Sequence, residues 1–303
     1  MSTLAAIDCG TNMTRLLIRR GDTDLERRLE FTRLGVGVDQ HHRLDADAVE
    51  RTLLVLAEFR VLMERHEVSG FRAVTTSATR DADNRDEFLA AASEVLGGPL
   101  ELLSGEDEGH LAFRGATAKL DARYGPFLVA DIGGGSTELA TGSGDPEDKP
   151  DVVSLDIGCV RVTERFLAHD PPTAEELSQA VSVVRIHLSE AAREIPAVSE
   201  ARQLVGVAGT FTTMAAVEMG LGEYDPDRVH HFDLTKAAAE DVFRTLATER
   251  LTDRVHNPGL APERADVIVA GALVAVSIMR ELDFSSCLVS EADLLDGLLA
   301  SQL

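Results

Sequence analysis

Two stretches of the chain put an aspartate, a glycine-bearing turn and a second polar run in the same order. One is VADIGGGSTELATGSGD at 129–145; the other is AAIDCGTNMTRLLIRRGD at 5–22. Asp8 matches Asp131, Gly10 matches Gly133, Leu16 matches Leu139 and Asp22 matches Asp145, so one device is written twice. Its chemistry is anion binding. Glycine lets a backbone approach an anion closely and adopt positive φ. Successive amides then form a concave nest for phosphate oxygens, and Ser136 and Thr137 add hydroxyl donors. Asp131 sits where a carboxylate can hold hydrated Mg²⁺ against those oxygens. A single such turn is as well explained by tight hairpin geometry; two matched copies, one per half, favour a phosphate site.

Three further stretches belong to the same chemistry. GVAGTFTT at 206–213 lies between a strand and a helix, and Gly209, Thr210 and the helix start offer amides and a positive dipole end. TSATRDADN at 76–84 holds Arg80 at a strand end, suited either to phosphate or to a loop bond with Asp81 or Asp83. SGEDEGHLAF at 104–113 packs acids at a helix start, where acids usually serve as caps. If that helix faces the phosphate cleft, one acid can orient water, and Glu138 can share that work.

These groups need elements to carry them. Residues 4–21 read as strand, turn, strand, and LERRLEFTRLG as a third strand. DAVERTLLVLAEFRVLMERH is a helix with Val49, Leu53, Leu56 and Met63 on one face and an Asp47/Glu50 capping box. FRAVTTSA and PLELLSG are strands, NRDEFLAAASEVLGG a helix ending at glycine, and EDEGHLAFRGATAKL a helix. YGP at 124–126 breaks the chain. Beyond it, DVVSLDIG is a strand, and TAEELSQAVSVVRIHLSEAAREI is a helix behind a Thr173/Glu176 cap. RQLVGVAGTFTTMAAVEMG is strand, turn and helix. Pro262 suits the first residue of a long apolar helix running to Leu282. SSCLVSEADLLDGLLASQL is strand, turn and terminal helix, and 142–151 is a polar hairpin loop. Strands alternate with helices in each half, which indicates α/β architecture.

The 303 residues suggest two domains. A formal net charge of −23 argues against DNA as a partner. An anionic small substrate then requires a local exception, and Arg80, Arg15, Arg161 and the His230/His231 pair are candidates for it. Positive charge comes mainly from arginine, whose planar fork suits phosphate. Cys9, Cys159 and Cys287 form no Cys-x-x-Cys pair, so neither a structural zinc site nor a disulfide framework is expected. No secretory signal is visible and the longest apolar run, VIVAGALVAVSIM, is too short to span a bilayer. The expected setting is cytoplasmic, away from membranes.

AAIDCGTN, TSATR, SGEDEGHL, VADIGGGSTEL, GVAGTFTTMAA and VSEADLLDGLL, in that order, resemble the successive motifs of the exopolyphosphatase/guanosine pentaphosphate phosphohydrolase family, in its short two-domain actinobacterial form. The resemblance implies the two-domain actin-like ATPase (ribonuclease H-like) superfold with a cleft between domains: residues 1–123 completed by 289–303, and residues 124–288. It implies Glu108 as catalytic base, Glu138 as an orienter of water or metal, and Arg80 beside the phosphate. Asp131 is implied as metal ligand, with Asp8 and Glu138 as helpers. Gly10, Thr11 and Asn12, Gly133, Gly134, Gly135, Ser136 and Thr137, and Gly209 and Thr210 are implied as phosphate contacts. The implied cofactor is Mg²⁺ or another divalent cation such as Mn²⁺; the implied reaction is release of terminal phosphate from inorganic polyphosphate. The family's usual EEAR reads Asp107, Glu108, Gly109, His110 here, and Met13 replaces the last hydroxyl of its first loop. Guanosine pentaphosphate as substrate, a kinase of the same superfold, a polyphosphate- or alarmone-binding protein with weak catalysis, and a homodimer remain open.

Overall fold

A computed structural model describes residues 2–145 and 149–303. The polar loop read at 142–151 thus falls partly on residues outside the described ones. Each half of the chain opens with an antiparallel meander and then adds parallel strands. The first comprises β1 (Thr3–Cys9), β2 (Thr14–Arg20) and β3 (Thr23–Glu30), then β4 (Gly70–Thr75) and β5 (Leu100–Leu102). Its sheet order is β3-β2-β1-β4-β5, with β4 parallel to β1 and β5 parallel to β4. The second comprises β6 (Phe127–Ile132), β7 (Thr137–Gly142), β8 (Asp151–Leu155), β9 (Gln203–Val207), β10 (Asp233–Thr235) and β11 (Ser286–Val289). Its order is β10-β11-β9-β6-β7-β8. Read from β8 and without the edge strand β10, it repeats the plan of the first: three antiparallel strands, then β9 and β11 parallel to β6. The duplication read from the two turns is therefore a duplication of topology.

Helices follow the strands. The first half holds α1 (Val38–His41), α2 (Ala46–Arg65), α3 (Ser77–Arg80), α4 (Arg85–Leu96) and α5 (Gly105–Thr117). The second holds α6 (Cys159–Phe166), α7 (Ala174–Glu194), α8 (Ala208–Glu218), α9 (Pro226–Val229), α10 (Lys236–Thr248), α11 (Leu251–Arg254) and α12 (Ile268–Glu281), and the chain ends with α13 (Leu294–Ala300). β1 and β6 are buried almost throughout, as central strands covered on both faces must be. α13 leaves the second sheet and returns to the first: Leu294, Leu295, Leu298 and Leu299 pack with Ala6, Leu17 and Val74.

Several local signals act a few residues away from where they were read. The α2 cap is Asp45, whose carboxylate accepts from the amides of Asp47 and Ala48, rather than an Asp47/Glu50 box. The buried face of α2 is Ala48, Thr52, Leu56, Phe59 and Met63, so Val49 and Leu53 lie at its margin. Pro262 opens a single 3₁₀ turn, Pro262–Arg264, and the apolar helix begins only at Ile268. The Thr173/Glu176 capping box is present as read.

Candidate active site

A cavity of about 60 Å³ lies between the two sheets. Asp8, Gly10, Thr11 and Asn12 line it from the first turn, and Asp131, Gly133, Gly134, Gly135 and Ser136 from the second. Glu108 enters from α5, and Gly209 and Thr210 from the start of α8.

The two turns are closed alike. Gly10 N–H donates to the Met13 carbonyl at 2.9 Å, and Gly133 N–H to the Ser136 carbonyl at 3.0 Å. Their other carbonyls are tied back into the protein. Gly35 and Arg33 amides hold those of Thr11 and Asn12, while Cys159 and Val160 amides hold those of Gly133 and Gly134 at 2.9 and 2.8 Å. A peptide plane points its N–H opposite its C=O. The amides of Asn12, Gly134 and Gly135, on the planes of the Thr11, Gly133 and Gly134 carbonyls, accordingly point away from these ties, and they and the amides of Thr11 and Ser136 donate no hydrogen bond among the described residues. They form two rows of unused donors beside the cavity.

The reason for three consecutive glycines differs from the expectation. None of Gly133, Gly134 and Gly135 has positive φ. A Cβ on Gly134 would lie 2.7 Å from Thr11 Cβ, and one on Gly135 would lie 2.4 Å from Ser77 Oγ. The bare backbone lets the two halves close on each other.

Strand register sets the acids. Asp8 stands opposite Arg15 across β1 and β2, and Asp131 opposite Glu138 across β6 and β7. Arg15 pairs with Asp8 at 2.7 Å and also with Asp293. Asp131 has no side-chain hydrogen bond or ion pair among the described residues. Burial raises its pKa to about 8, helped by the charges of Glu108 and Asp293. Glu138 accepts from Ser154 Oγ at 2.7 Å, and burial and then Asp131 push its pKa up. Glu108, buried on α5 behind the Ser104 cap, is pushed well up by burial and then by Glu138; Arg80 opposes this. Arg80 donates to Glu108 Oε2 at 2.8 Å and to the Leu103 carbonyl at 3.0 Å. It also approaches Ser136 Oγ at 3.4 Å and Glu138 at 3.9 Å. Its partner is the candidate base, not Asp81 or Asp83.

Other expected contacts are not assembled. Thr137 is fully buried and its hydroxyl donates to the Ile157 carbonyl at 2.8 Å, away from the cavity. Arg15 lines the cavity but pairs with Asp8 and Asp293, and Arg161 lies outside it, paired with Asp39 and Asp81. His230 and His231 line a separate cavity with Ser2, Arg19 and Lys119, and burial lowers the pKa of both. The expected cationic exception is thus not made of these groups. His110 meets the Pro150 carbonyl at 3.1 Å, outside the cleft.

The sequence reading missed Arg264. Its guanidinium lies against Gly209, donates to Met13 Sδ at 3.0 Å and sits 5.5 Å from the Phe31 ring centre. No carboxylate pairs with it among the described residues, and burial lowers its pKa. A cation beside the positive end of α8 is poorly placed unless an anion joins it. Next to it, Ala208 has φ 63°, a left-handed conformation uncommon for a residue with a Cβ. Arg264, Met13, Arg15, Ala208 and Gly209 are shared with a chamber of about 630 Å³ that adjoins the cavity.

No cluster of three or more His, Cys, Asp or Glu among the described residues is poised to enclose a metal ion. The buried oxygens Asp8 Oδ1 and Glu138 Oε2 nevertheless lack any hydrogen-bond partner there. Such a donor set fits Mg²⁺, which uses one or two carboxylates and completes its shell with water and substrate phosphate. It does not fit zinc. No helix among the described residues is long and apolar enough to cross a membrane.

Known proteins share this architecture. The sequence profile of the Ppx/GppA phosphatase family matches residues 18–303. Exopolyphosphatase 2 of Mycobacterium tuberculosis is 40% identical over 99% of this chain and 98% of its own. The crystal structure of an exopolyphosphatase-like protein superposes with a TM-score of 0.94 at 39% identity, covering 99% of this chain and 98% of that one. The Aquifex aeolicus Ppx/GppA phosphatase, in its type II form, gives 0.78 at 31% identity over the whole of both chains. With one topology, two matched turns and full-length similarity, this chain belongs to the Ppx/GppA phosphatase family.

Proposed function

We propose that the chain is a cytoplasmic exopolyphosphatase, which transfers the terminal phosphoryl group of inorganic polyphosphate to water. The observation that carries this reading is the pair of turns whose unused amides meet in one cavity with Glu108 in its wall. The terminal phosphoryl oxygens take the amides of Thr11, Asn12, Gly134, Gly135 and Ser136, with Thr210 and the start of α8 closing the third side. Arg264 faces the next phosphate toward the chamber. Glu108, oriented by Arg80, accepts a proton from the attacking water. The water oxygen bonds to the terminal phosphorus, the bridging P–O bond breaks, and orthophosphate leaves with a chain one unit shorter. Glu138 orients Glu108 and Arg80 from behind the turn. Asp131, with Asp8 and Glu138 as helpers, is proposed to hold Mg²⁺ or Mn²⁺, which supplies charge neutralisation on the phosphoryl oxygens. Positioning and electrostatics carry most of phosphoryl transfer, so the protein's part is this array of donors.

Guanosine pentaphosphate is the second reading. The adjoining chamber favours it, because Phe31, Tyr224 and Leu260 give it apolar walls that a bare phosphate chain does not need. Phosphate release by the purified protein, with polyphosphate and with guanosine pentaphosphate as separate substrates, tests both. Release from polyphosphate that is lost in Glu108→Gln supports the proposal; release from the nucleotide alone replaces it with the second reading.

A further inference from the structure

We propose that Arg161 is a positioning residue for the reaction, a clamp that aims the Ser136 amide into the cavity and binds that turn to the α3 turn carrying Arg80. The inference rests on the hydrolase reading of the cleft. Three peptide planes present the second turn's amides, and each is fixed by what holds its carbonyl. The first two are held by backbone amides at the start of α6: Cys159 N–H on Gly133, and Val160 and Arg161 N–H on Gly134 at 2.8 and 3.1 Å. The third joins Gly135 C=O to Ser136 N–H. Its carbonyl accepts from Arg161 Nε at 2.7 Å, with the Gly158 amide more distant at 3.3 Å. This plane alone depends on a side chain for its short bond. Released, it can rotate and turn a carbonyl toward the phosphate where an amide stood.

The rest of the guanidinium reaches the other half of the molecule. One terminal nitrogen donates to Asp39 at 2.5 Å; the other contacts Ser77 Oγ at 3.4 Å and pairs with Asp81. Ser77 begins α3 and Asp81 caps it, so both ends of the turn that presents Arg80 meet Arg161. Arg161 is 8% exposed and does not line the cavity, and its donors are in use, so it acts through the turn rather than on substrate. A planar fork can hold a carbonyl and two carboxylates at once, whereas a lysine ammonium is a single compact charge. The same interface keeps two contacts that do not touch Gly135: Arg165 with Asp39 at 2.5 Å, and Gly37 N–H with Glu164 at 3.0 Å. They should keep α6 docked when Arg161 is replaced.

The test measures kcat and KM for phosphate release in Arg161→Ala, Arg161→Lys and Arg165→Ala, with thermal melts of each. Misdirecting one preorganised donor should lower kcat in both Arg161 variants by at least about 10-fold, toward the 10²–10³-fold known for such donors. KM should change less, and added guanidinium should restore Arg161→Ala in a saturable way. Arg165→Ala should stay within about twofold of wild type, since it leaves the peptide plane held. Unchanged kcat in Arg161→Lys, or a loss in Arg161→Ala that follows only the folded fraction and ignores guanidinium, would overturn the clamp. Should Arg161→Ala not fold, Arg161→Lys decides alone. If the wild type releases phosphate from no substrate, the hydrolase reading fails first. The clamp is then judged from the Ser136 amide resonance of ¹⁵N-labelled protein, which must shift in Arg161→Lys and not in Arg165→Ala.

Discussion

The two matched turns share their backbone and differ in what stands opposite the aspartate. In the first, Asp8 faces Arg15 across the strand pair; in the second, Asp131 faces Glu138. Residues directly opposite on an antiparallel pair have Cβ atoms about 5 Å apart, and like charges there are unfavourable. The first copy is thus neutralised within its own sheet, while the second accumulates negative charge that needs a proton or a cation. The first copy also carries the bulk, Thr11 and Asn12, and the second carries none in Gly133, Gly134 and Gly135, so one packs into the other. Duplication supplied the frame, and the divergence of one register position left Asp8 paired with an arginine and Asp131 facing a second carboxylate.

The largest effect expected from this asymmetry is at Glu108, which stands beside the acidic copy. Glu108→Ala should lower turnover by about 10²-fold or more, the usual magnitude for a general base. Polyphosphate binding should persist, because removing a negative charge does not weaken attraction to an anion. Near-normal turnover would move the base to Glu138. In the Arg80→Gln variant the residual activity should show its acid limb at higher pH, since Arg80 is what holds the Glu108 pKa down against burial and Glu138. A limb displaced toward lower pH would separate Arg80 from the base.

The asparagine substitutions of the two aspartates contrast the copies directly. Asp131→Asn should raise the divalent-cation concentration for half-maximal activity by at least about 10-fold, and Asp8→Asn by clearly less, because Arg15 already occupies one of the two Asp8 oxygens. Equal shifts in a metal titration would mean that the register difference does not assign the cation.

Much of this site was legible because its chemistry is written contiguously. An aspartate, glycines and hydroxyls within a few residues announce a turn wherever the turn is placed, and the repeat at a constant offset announced two. The strand period decides Thr137: it opens β7 with its side chain on the face opposite Glu138, away from the cavity. Asp8 and Arg15 were both noted, yet their pairing depends on hairpin register. Arg161 reaches Asp39, Ser77 and Asp81, and Arg264 reaches Met13, all more than 50 positions away in the chain, and no local pattern encodes that. At Pro262 the local signal was real and started a helical turn, but burial of Ile268 onward decided where the long helix begins.

A smaller effect tests the packing of one copy into the other. Gly134→Ala should cost about 1–3 kcal/mol, the usual range for a side chain forced into filled space. Its Cβ would overlap Thr11 Cβ at 2.7 Å and Cγ2 at 2.9 Å. Adding Thr11→Gly removes both atoms and should recover most of that loss. Additive destabilisation in denaturant melts of the single and double variants would show that the two turns do not bear on each other.

The smallest expected effect is a pH dependence of stability that the second copy should carry more strongly than the first. With a chelator present and no divalent cation, Asp131 titrates in the folded protein near pH 8, against 3.8 for its ordinary value. Burial shifts Glu138 and Glu108 in the same direction. Between those limits the folded protein holds protons that the unfolded chain has already released. Stability associated with Asp131 is therefore full below about pH 4 and is lost as pH rises toward 8. The Asp131→Asn side chain has no proton to lose. The variant should melt less steeply with pH and, at pH 8 in chelator, at least about 2 °C above wild type. Every protein in the comparison shares the same acidic background, so the difference between curves reports Asp131 together with its effect on Glu138. Asp8→Asn should not flatten the curve as much, since Arg15 opposes the effect of burial on Asp8. Adding Mg²⁺ should raise the wild-type melting temperature at pH 8 and erase the advantage of Asp131→Asn. Parallel melting curves for wild type and Asp131→Asn from pH 5 to 8.5 in chelator would show that Asp131 is already neutralised by its surroundings, and the contrast between the two copies would fail.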